Sequence, residues 1–459
     1  MKLFNFELTT LKSKLYAIVF ASFVVRILGF LLLPKKPTVA LASDESGFAE
    51  IARLVASEQP TTSYGRLYFI SRTLVLPAAA LNNFGVEPLS SVRIVASIYG
   101  VLTLILVAFL VIQFVNKFST DSKLTLKRSN LITGLFFIFA FLPSHFLWSI
   151  LGLRESPMEF WVLCSLSAIF LAVNLQEKVT LPIALLLTIS ITLLFNTRPQ
   201  VAWLLTVTIL ISLIFNDKRR VSFTLALLTL IASGVGYSSV AVQRHDVFAL
   251  VATDGSAIDG SAIDGSACKD SKQKITFQGK EYECTKTGTR TDLSNLQNPG
   301  EIIVNETISI PDRHKGNQVA AASAIQTLSC PITEESKTDK YFCLVWRAPY
   351  MAATFLFRPL IVIDTTSTSS LFAAIENIAW LGAFVFIVVM IIKKRRLAFI
   401  GPLAPSLIFF RLYCVGAGSY EGNMGTAFRH KSLILWAILL LLASVLAAEK
   451  RPNSRNESA

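Results

Sequence analysis

Long apolar runs separated by short polar segments organise this chain. Ten runs, at 15–34, 93–116, 131–150, 159–175, 180–196, 199–215, 221–243, 371–392, 397–414 and 431–448, approach the length that crossing a bilayer core requires, and each predicts a helix. The fifth and sixth are short. The polar punctuation is mostly basic and falls at alternate ends of the runs. Lys2, Lys12 and Lys14 precede the first run, Lys117, Lys123, Lys127 and Arg128 follow the second, and Lys178 follows the fourth. Lys218, Arg219 and Arg220 follow the sixth, Lys393 to Arg396 the eighth, and Lys450 and Arg451 the tenth. Under a ten-span count every cluster lies on one side, which predicts that both termini are cytoplasmic.

The stretch from Leu67 to Phe84 is long enough to tempt an eleventh span, but counting it would move every later basic cluster outside. Arg66, Arg72 and Pro77 fit helices lying on the outer surface better than a spanning helix. Ala40-Leu41-Ala42 has the small-x-small look of a cleavage site. Lys35 and Lys36 intervene and the apolar run ends well before it, so an uncleaved first span is expected.

Composition agrees with an integral membrane protein. Of 459 residues 53% are hydrophobic and 16% charged, and the mean hydropathy is +0.56. The net charge of +13 resides in short loop clusters, so it carries topology and does not call for a nucleic-acid partner. The expected fold is an all-α polytopic bundle of about ten transmembrane helices. Residues 1–243 form an N-terminal module with an outer loop at 35–92, 244–370 an extracytoplasmic insert, and 371–459 the C-terminal helices.

The insert opens with the repeat Asp254-Gly255-Ser256-Ala257-Ile258 and its near-copies, whose Gly and Ser favour a turn-rich linker. Ile275 to Phe277, Ile302 to Val304 and Tyr341 to Val345 predict short strands. Cys268, Cys284, Cys330 and Cys343 lie in this segment, where oxidation is permitted, and two disulfides are expected. Pairing Cys268 with Cys284 and Cys330 with Cys343 closes the shortest loops, although three connectivities exist. The absence of CxxC spacing argues against zinc. Cys164 and Cys414, in or beside spans, are expected to be packing residues.

Polar residues gather at the predicted outer ends. Asp44-Glu45 opens a stretch in which Phe48, Ile51, Ala52 and Leu54 recur at helical spacing, so the two carboxylates stand at a helix start, where Asp44 or Ser43 also serves as an N-cap. Arg154-Glu155 and Arg198 lie at outer turns. Arg358-Pro359 precedes the eighth run, and Tyr420, Glu421, Asn423, Arg429, His430 and Lys431 crowd the entrance to the tenth. Singly, each Arg is an ordinary interfacial anchor. Together they surround one site in which a carboxylate accepts a proton from an attacking hydroxyl and guanidinium groups neutralise a phosphate leaving group. No Walker loop, HExxH, or GxGxxG between a strand and a helix occurs, which removes the common nucleotide and zinc-protease readings.

The order of a first span, outer Asp44-Glu45 with its Phe48-Ala49-Glu50-Ile51-Ala52 helix, interfacial Leu67-Tyr68, and Arg93 to Gly100 entering the second span resembles the GT-C glycosyltransferases. It looks closest to the branch holding the lipid A aminoarabinose transferases and the protein mannosyltransferases. Leu151-Gly152-Leu153-Arg154-Glu155 is similar to that branch's second outer acidic motif, with Glu155 where Asp is common. The likeness covers residues 1 to about 215. The segments Phe357-Arg358-Pro359 with Glu376-Asn377 and Trp380, and Gly422 to Arg429, are similar to membrane proteins of surface-polysaccharide clusters. The soluble segment departs from the branch, which usually carries it after the last span.

The resemblance implies inverting transfer from a polyprenyl-phosphate sugar donor to a glycan, lipid or protein acceptor outside the cytoplasmic membrane. Asp44 would be the base, with Glu45 and Glu155 as further acids. Arg154, Arg198, Arg358, Arg429 and Lys431 are the candidates for the phosphate, and Tyr420, Glu421 and Asn423 for the substrate. Some relatives use a divalent metal, but two isolated acids do not argue for one here, so no cofactor is assigned. The rival readings are a polysaccharide polymerase or ligase that does not depend on Asp44, and a non-enzymatic transporter or membrane anchor. A transporter should show repeated halves and midplane ionisable groups. No internal repeat of spans is visible, and Glu376, an acid inside a span, reads more simply as an interhelical contact.

Overall fold

The computed structural model describes residues 2–33, 43–58, 68, 70–118, 126–176, 178–240, 243–252, 274–277, 280–292, 303–304, 337–359, 368–394, 400–420 and 428–447. For the strands and for 2–9, 43, 337–345, 351, 368–370, 393–394, 400 and 419–420 the description is of the backbone. Each of the ten apolar runs falls on helix. α1 (Lys2–Leu32) leads to a pair, α2 (Ser43–Ala56) and α3 (Arg72–Asn83), and then to α4 (Pro88–Phe118). α5 (Leu126–Phe141) and α6 (Pro143–Ile150) are bent by 42° at Leu142, where Pro143 starts the second helix. α7 (Glu155–Phe170) ends in a π turn at Leu171–Leu175 and is followed by α8 (Leu181–Phe195), α9 (Pro199–Ile214) and α10 (Arg219–Val240). The C-terminal helices are α11 (Lys337–Phe357), α12 (Thr368–Lys394), α13 (Ile400–Tyr420) and α14 (Ser432–Ala447).

Five of these helical stretches, Thr10–Leu32, Pro88–Phe118, Glu155–Leu175, Arg219–Val240 and Leu371–Ile392, are long and apolar enough to cross a membrane, and the bent α5–α6 pair makes a sixth if it is one span. This is the helical pattern of a multi-pass membrane protein. α8, α9 and α14 are shorter apolar helices of 15, 16 and 16 residues. At about 1.5 Å per residue they cover about 23 Å of a hydrocarbon layer about 30 Å thick. Ten full spans are therefore more than length and hydropathy support. α3 has 12 residues with Pro77 inside it, too short to span, and so does not add an eleventh.

Two apolar clusters position everything else. The large one joins α1, α4, α5 and α7 to α10 with Phe355 of α11, Phe409 of α13 and all of α14. The small one lies under α2 and α3. Phe48, Ile51 and Ala52 of α2 meet Leu74, Val75 and Ala78 of α3, Val92 and Val95 of α4, and Leu151 and Leu153 of the α6–α7 turn. The spacing of Phe48, Ile51 and Ala52 puts one face of α2 against the bundle and leaves Asp44 at its open end. α3 is pinned by polar ties. Arg72 Nη1 donates to Asn196 Oδ1 and Ser239 O, and the hydroxyls of Thr73 and Thr197 share a 2.7 Å hydrogen bond. These fix the α8–α9 turn, and with it Arg198, against α3.

Beyond α10 the chain forms a four-stranded antiparallel sheet from β1 (Gln243–Ala252), β2 (Lys274–Phe277), β3 (Lys280–Asp292) and β4 (Ile303–Val304). β3 is central and pairs with all three others, with a bulge in β1 between Val247 and Phe248. Two of the three expected strands are thus present, β2 at 275–277 and β4 at 303–304. The third is corrected: Tyr341 to Val345 lies in α11, which packs on α13 and sends Phe355 and Leu356 into the large core. Its apolar residues continue at helical spacing through Phe355, and that longer period outweighs the local β-branched look. Cys268 and Cys330, and the side chains of Cys284 and Cys343, lie outside the described residues. Among those described, Cys164 and Cys414 are free and buried, as packing residues are.

Candidate functional site

The N-terminal ends of α2, α7, α9 and α14 converge. Each contributes charge from its first turn or cap: Asp44 and Glu45 from α2, Arg154 and Glu155 from α7, Arg198 from the cap of α9, and Arg429 and His430 from the turn before α14. Arg429 is the bridge. Its Nη1 donates to Asp44 Oδ2 at 3.0 Å, and its Nε stands 3.0 Å from Glu155 Oε1. His430 Nε2 lies 3.4 Å from the same Glu155 oxygen and 2.7 Å from Arg198 Nη1. Glu155 is buried, whereas the Asp44 side chain is 47% exposed.

Arg154 sits among these groups. Its Nη1 is enclosed and has no hydrogen-bond partner. Burial first, and then the neighbouring Arg198, lower its pKa to about 10, with Glu155 opposing them. It therefore remains a cation at neutral pH.

Glu45, one residue from Asp44, has the opposite environment. It is fully buried, and Oε1 accepts from Arg93 Nε at 2.5 Å and from Gly152 N at 3.0 Å, while Oε2 accepts from Arg93 Nη2 at 3.0 Å. This carboxylate joins α2, α4 and the α6–α7 turn. A side chain at Gly152 would put a Cβ 2.4 Å from Val92 Cγ2, so the close approach that lets Gly152 N reach Glu45 needs glycine.

Lys431 and Arg358 belong to a second, closed cluster. Lys431 is completely buried, and its Nζ donates to Arg358 O at 2.5 Å and Asn377 Oδ1 at 2.8 Å. Asn377 Nδ2 donates to Pro359 O at 3.0 Å across a cis Arg358–Pro359 bond. Glu376 accepts from Ser144 N at 3.0 Å, from Ser144 Oγ, and from Trp380 Nε1 at 3.1 Å. The acid inside the eighth run is thus an interhelical contact between α12 and the start of α6.

Of the residues singled out in the sequence, the structure brings together Asp44, Arg154, Glu155, Arg198 and Arg429. It sets Glu45 and Lys431 in enclosed networks of their own. Glu421, Asn423 and the side chain of Tyr420 lie outside the described residues. Arg93, Gly152 and Asn377 received no role from sequence, and His430 was placed among the polar residues around the site without a role of its own. Two had a signal: His430 adjoins Arg429, and Arg93 is a lone cation where an apolar helix begins. Among the described residues no group of three or more His, Cys, Asp or Glu could hold a metal ion. Comparison with models of known families, with curated proteins and with solved structures finds no match to this chain.

Proposed function

We propose that this protein is an inverting glycosyltransferase that moves a sugar from a polyprenyl-phosphate donor to a cell-envelope acceptor at the outer face of the cytoplasmic membrane. The observation that carries this reading is a half-exposed carboxylate, Asp44, held 3.0 Å from Arg429 in a cluster that also contains Arg154 and Arg198. Arg429 takes Oδ2. Oδ1 then accepts the proton of an acceptor hydroxyl as its oxygen attacks the anomeric carbon. The bond from that carbon to the phosphate oxygen breaks, its electron pair stays with the phosphate, and the guanidinium groups meet the developing charge. Glu155 holds Arg429 between the two acids, so that the base is oriented without being neutralised by a direct bidentate pair.

The same reading puts both termini in the cytoplasm and the sheet outside, with ten passes, the shorter helices α8, α9 and α14 crossing within the bundle. Single-cysteine labelling at positions 123 and 290 tests the sidedness. An impermeant reagent should reach 290 in intact cells and reach 123 only after lysis; labelling of 123 in intact cells removes an outer active site. The chemistry is tested by supplying membranes that contain the protein with a radiolabelled polyprenyl-phosphate sugar. Label should pass to an envelope acceptor, and membranes that pass none dispose of the reading.

A further inference from the structure

α1 and α4 pack against each other, and a groove of about 230 Å³ lies between them. Phe23, Ile27 and Phe30, on one face of α1, line it together with Ile98 and Leu102 of α4. Ile27 is 43% exposed and Ile98 52%, so the groove opens on the outside of the bundle, where lipid lies against a membrane helix. Two donors interrupt this apolar lining, Arg26 and Ser97. Arg26 is 1% exposed. Its Nε donates to Ser149 Oγ at 3.0 Å and its Nη1 to the carbonyl and hydroxyl oxygens of Ser22, but Nη2 is enclosed and has no partner. Ser97 Oγ is likewise enclosed and unpartnered, whereas Ser165, Thr206 and Ser444 bond the carbonyl four residues before them. Donors left unpaired in hydrocarbon are costly. Glu159 acts on Arg26 as an opposite charge without a hydrogen bond, so the groove lacks a neutral acceptor rather than an anion.

We propose that this groove binds one acyl chain of a membrane glycerolipid, whose ester carbonyl accepts hydrogen bonds from Arg26 Nη2 and Ser97 Oγ. The ester carbonyl is the acceptor nearest the hydrocarbon in such a lipid, and it is uncharged. Its oxygen has two lone pairs, one for each donor. Arg26 lies six residues before Leu32, about 9 Å inside the end of its crossing stretch, and the chain runs on past Phe23 and Leu102 toward the middle of the bilayer. A polyprenyl chain is hydrocarbon throughout and would leave both donors unpaired. The groove is therefore a site separate from that of the proposed sugar donor, and it rests on the fold and not on sugar transfer.

The test titrates the full chain in detergent with two phospholipids of the same headgroup and chain length, one with ester linkages and one with ether linkages, which lack the carbonyl. Binding is read by native mass spectrometry and by lipid-induced thermal stabilisation. Wild type should bind the diester lipid about 10-fold more tightly than the diether, as expected for hydrogen bonds from a charged donor. Arg26→Met removes one donor and Ser97→Ala the other, and each should shrink that preference. Ser97→Ala, the smaller change, decides the matter if Arg26→Met does not fold. Ile98→Trp fills the groove and should weaken both lipids. Equal affinity of wild type for the two lipids would overturn the proposal, as would an ester preference unchanged in the folded variants. Displacement of the diester lipid by a polyprenyl monophosphate would hand the groove to the sugar donor and overturn it too. An ester preference that depends on Ser97, in a protein that transfers no sugar, would remove the glycosyltransferase and keep the lipid site.

Discussion

Arg429-His430-Lys431 is one short run, yet it feeds two polar clusters of opposite character. On one side, Arg429 and His430 meet an acid that is 47% exposed and stand beside an enclosed guanidinium nitrogen with no partner. Toward the bundle, Lys431 meets two carbonyl oxygens at 2.5 and 2.8 Å, and the neighbouring Asn377 and Glu376 are bonded to Pro359, Ser144 and Trp380. Polar groups that are buried and bonded in this way hold helices in register. Polar groups left exposed or unbonded in a convergent charged cluster are where a ligand has something to add. The contrast sets Asp44 and Arg154 apart from Lys431, although the sequence offered all three as site residues.

The contrast is tested most severely at Asp44. Asp44 lies in the first turn of α2 and is not its cap, so Asp44→Asn keeps size and a hydrogen-bonding side chain there but removes the proton acceptor, and should cost about 10²–10⁴-fold in transfer rate with unchanged expression and melting temperature. Transfer at the wild-type rate would strip Asp44 of its role and favour a polymerase or ligase. Lys431→Met reverses the pattern. It leaves Arg358 O and Asn377 Oδ1 without their donor and should destabilise the protein by about 3–5 kcal/mol, read as a fall in melting temperature and in monodisperse yield from detergent. A normally stable Lys431→Met with lost activity would move Lys431 into the site and blur the distinction. The smallest effect is expected at the joint beneath Asp44. Gly152→Ala should cost about 1–3 kcal/mol through the contact with Val92, and Val92→Ala in the same chain should restore part of it. Simple additivity of the two changes would mean that the close approach is not what limits position 152.

The helices were largely legible because spanning runs are written in uninterrupted apolar residues, and every one of the ten falls on helix. What run length could not settle is how many cross completely. α8 and α9 have 15 and 16 residues, and their ends are set by Pro182, Asn196 and Pro199 rather than by a fading of hydropathy. Tyr341 to Val345 shows the reverse failure, in which a five-residue window hides a 21-residue helix. At the site, residue type was enough to gather Asp44, Arg154, Glu155, Arg198 and Arg429. It could not separate Asp44 from Glu45, because adjacent residues at a helix start point in different directions, and only the position of Arg93, 48 residues away, shows which is enclosed. Gly152 was invisible for the same reason. Its requirement comes from Val92 in another helix.

α14 is buried along its whole length, against α4, α5, α7, α12 and α13, while α12 shows much of its surface. The helix that the others surround is thus made after all of them. Until α14 is made, the place it fills has no helix, and Asp44 and Glu155 lack the guanidinium that later joins them. The carboxylates come under control only when residues 429 to 447 arrive. Assembly of the bundle and readiness of its charged cluster are therefore a single late event in the life of each molecule.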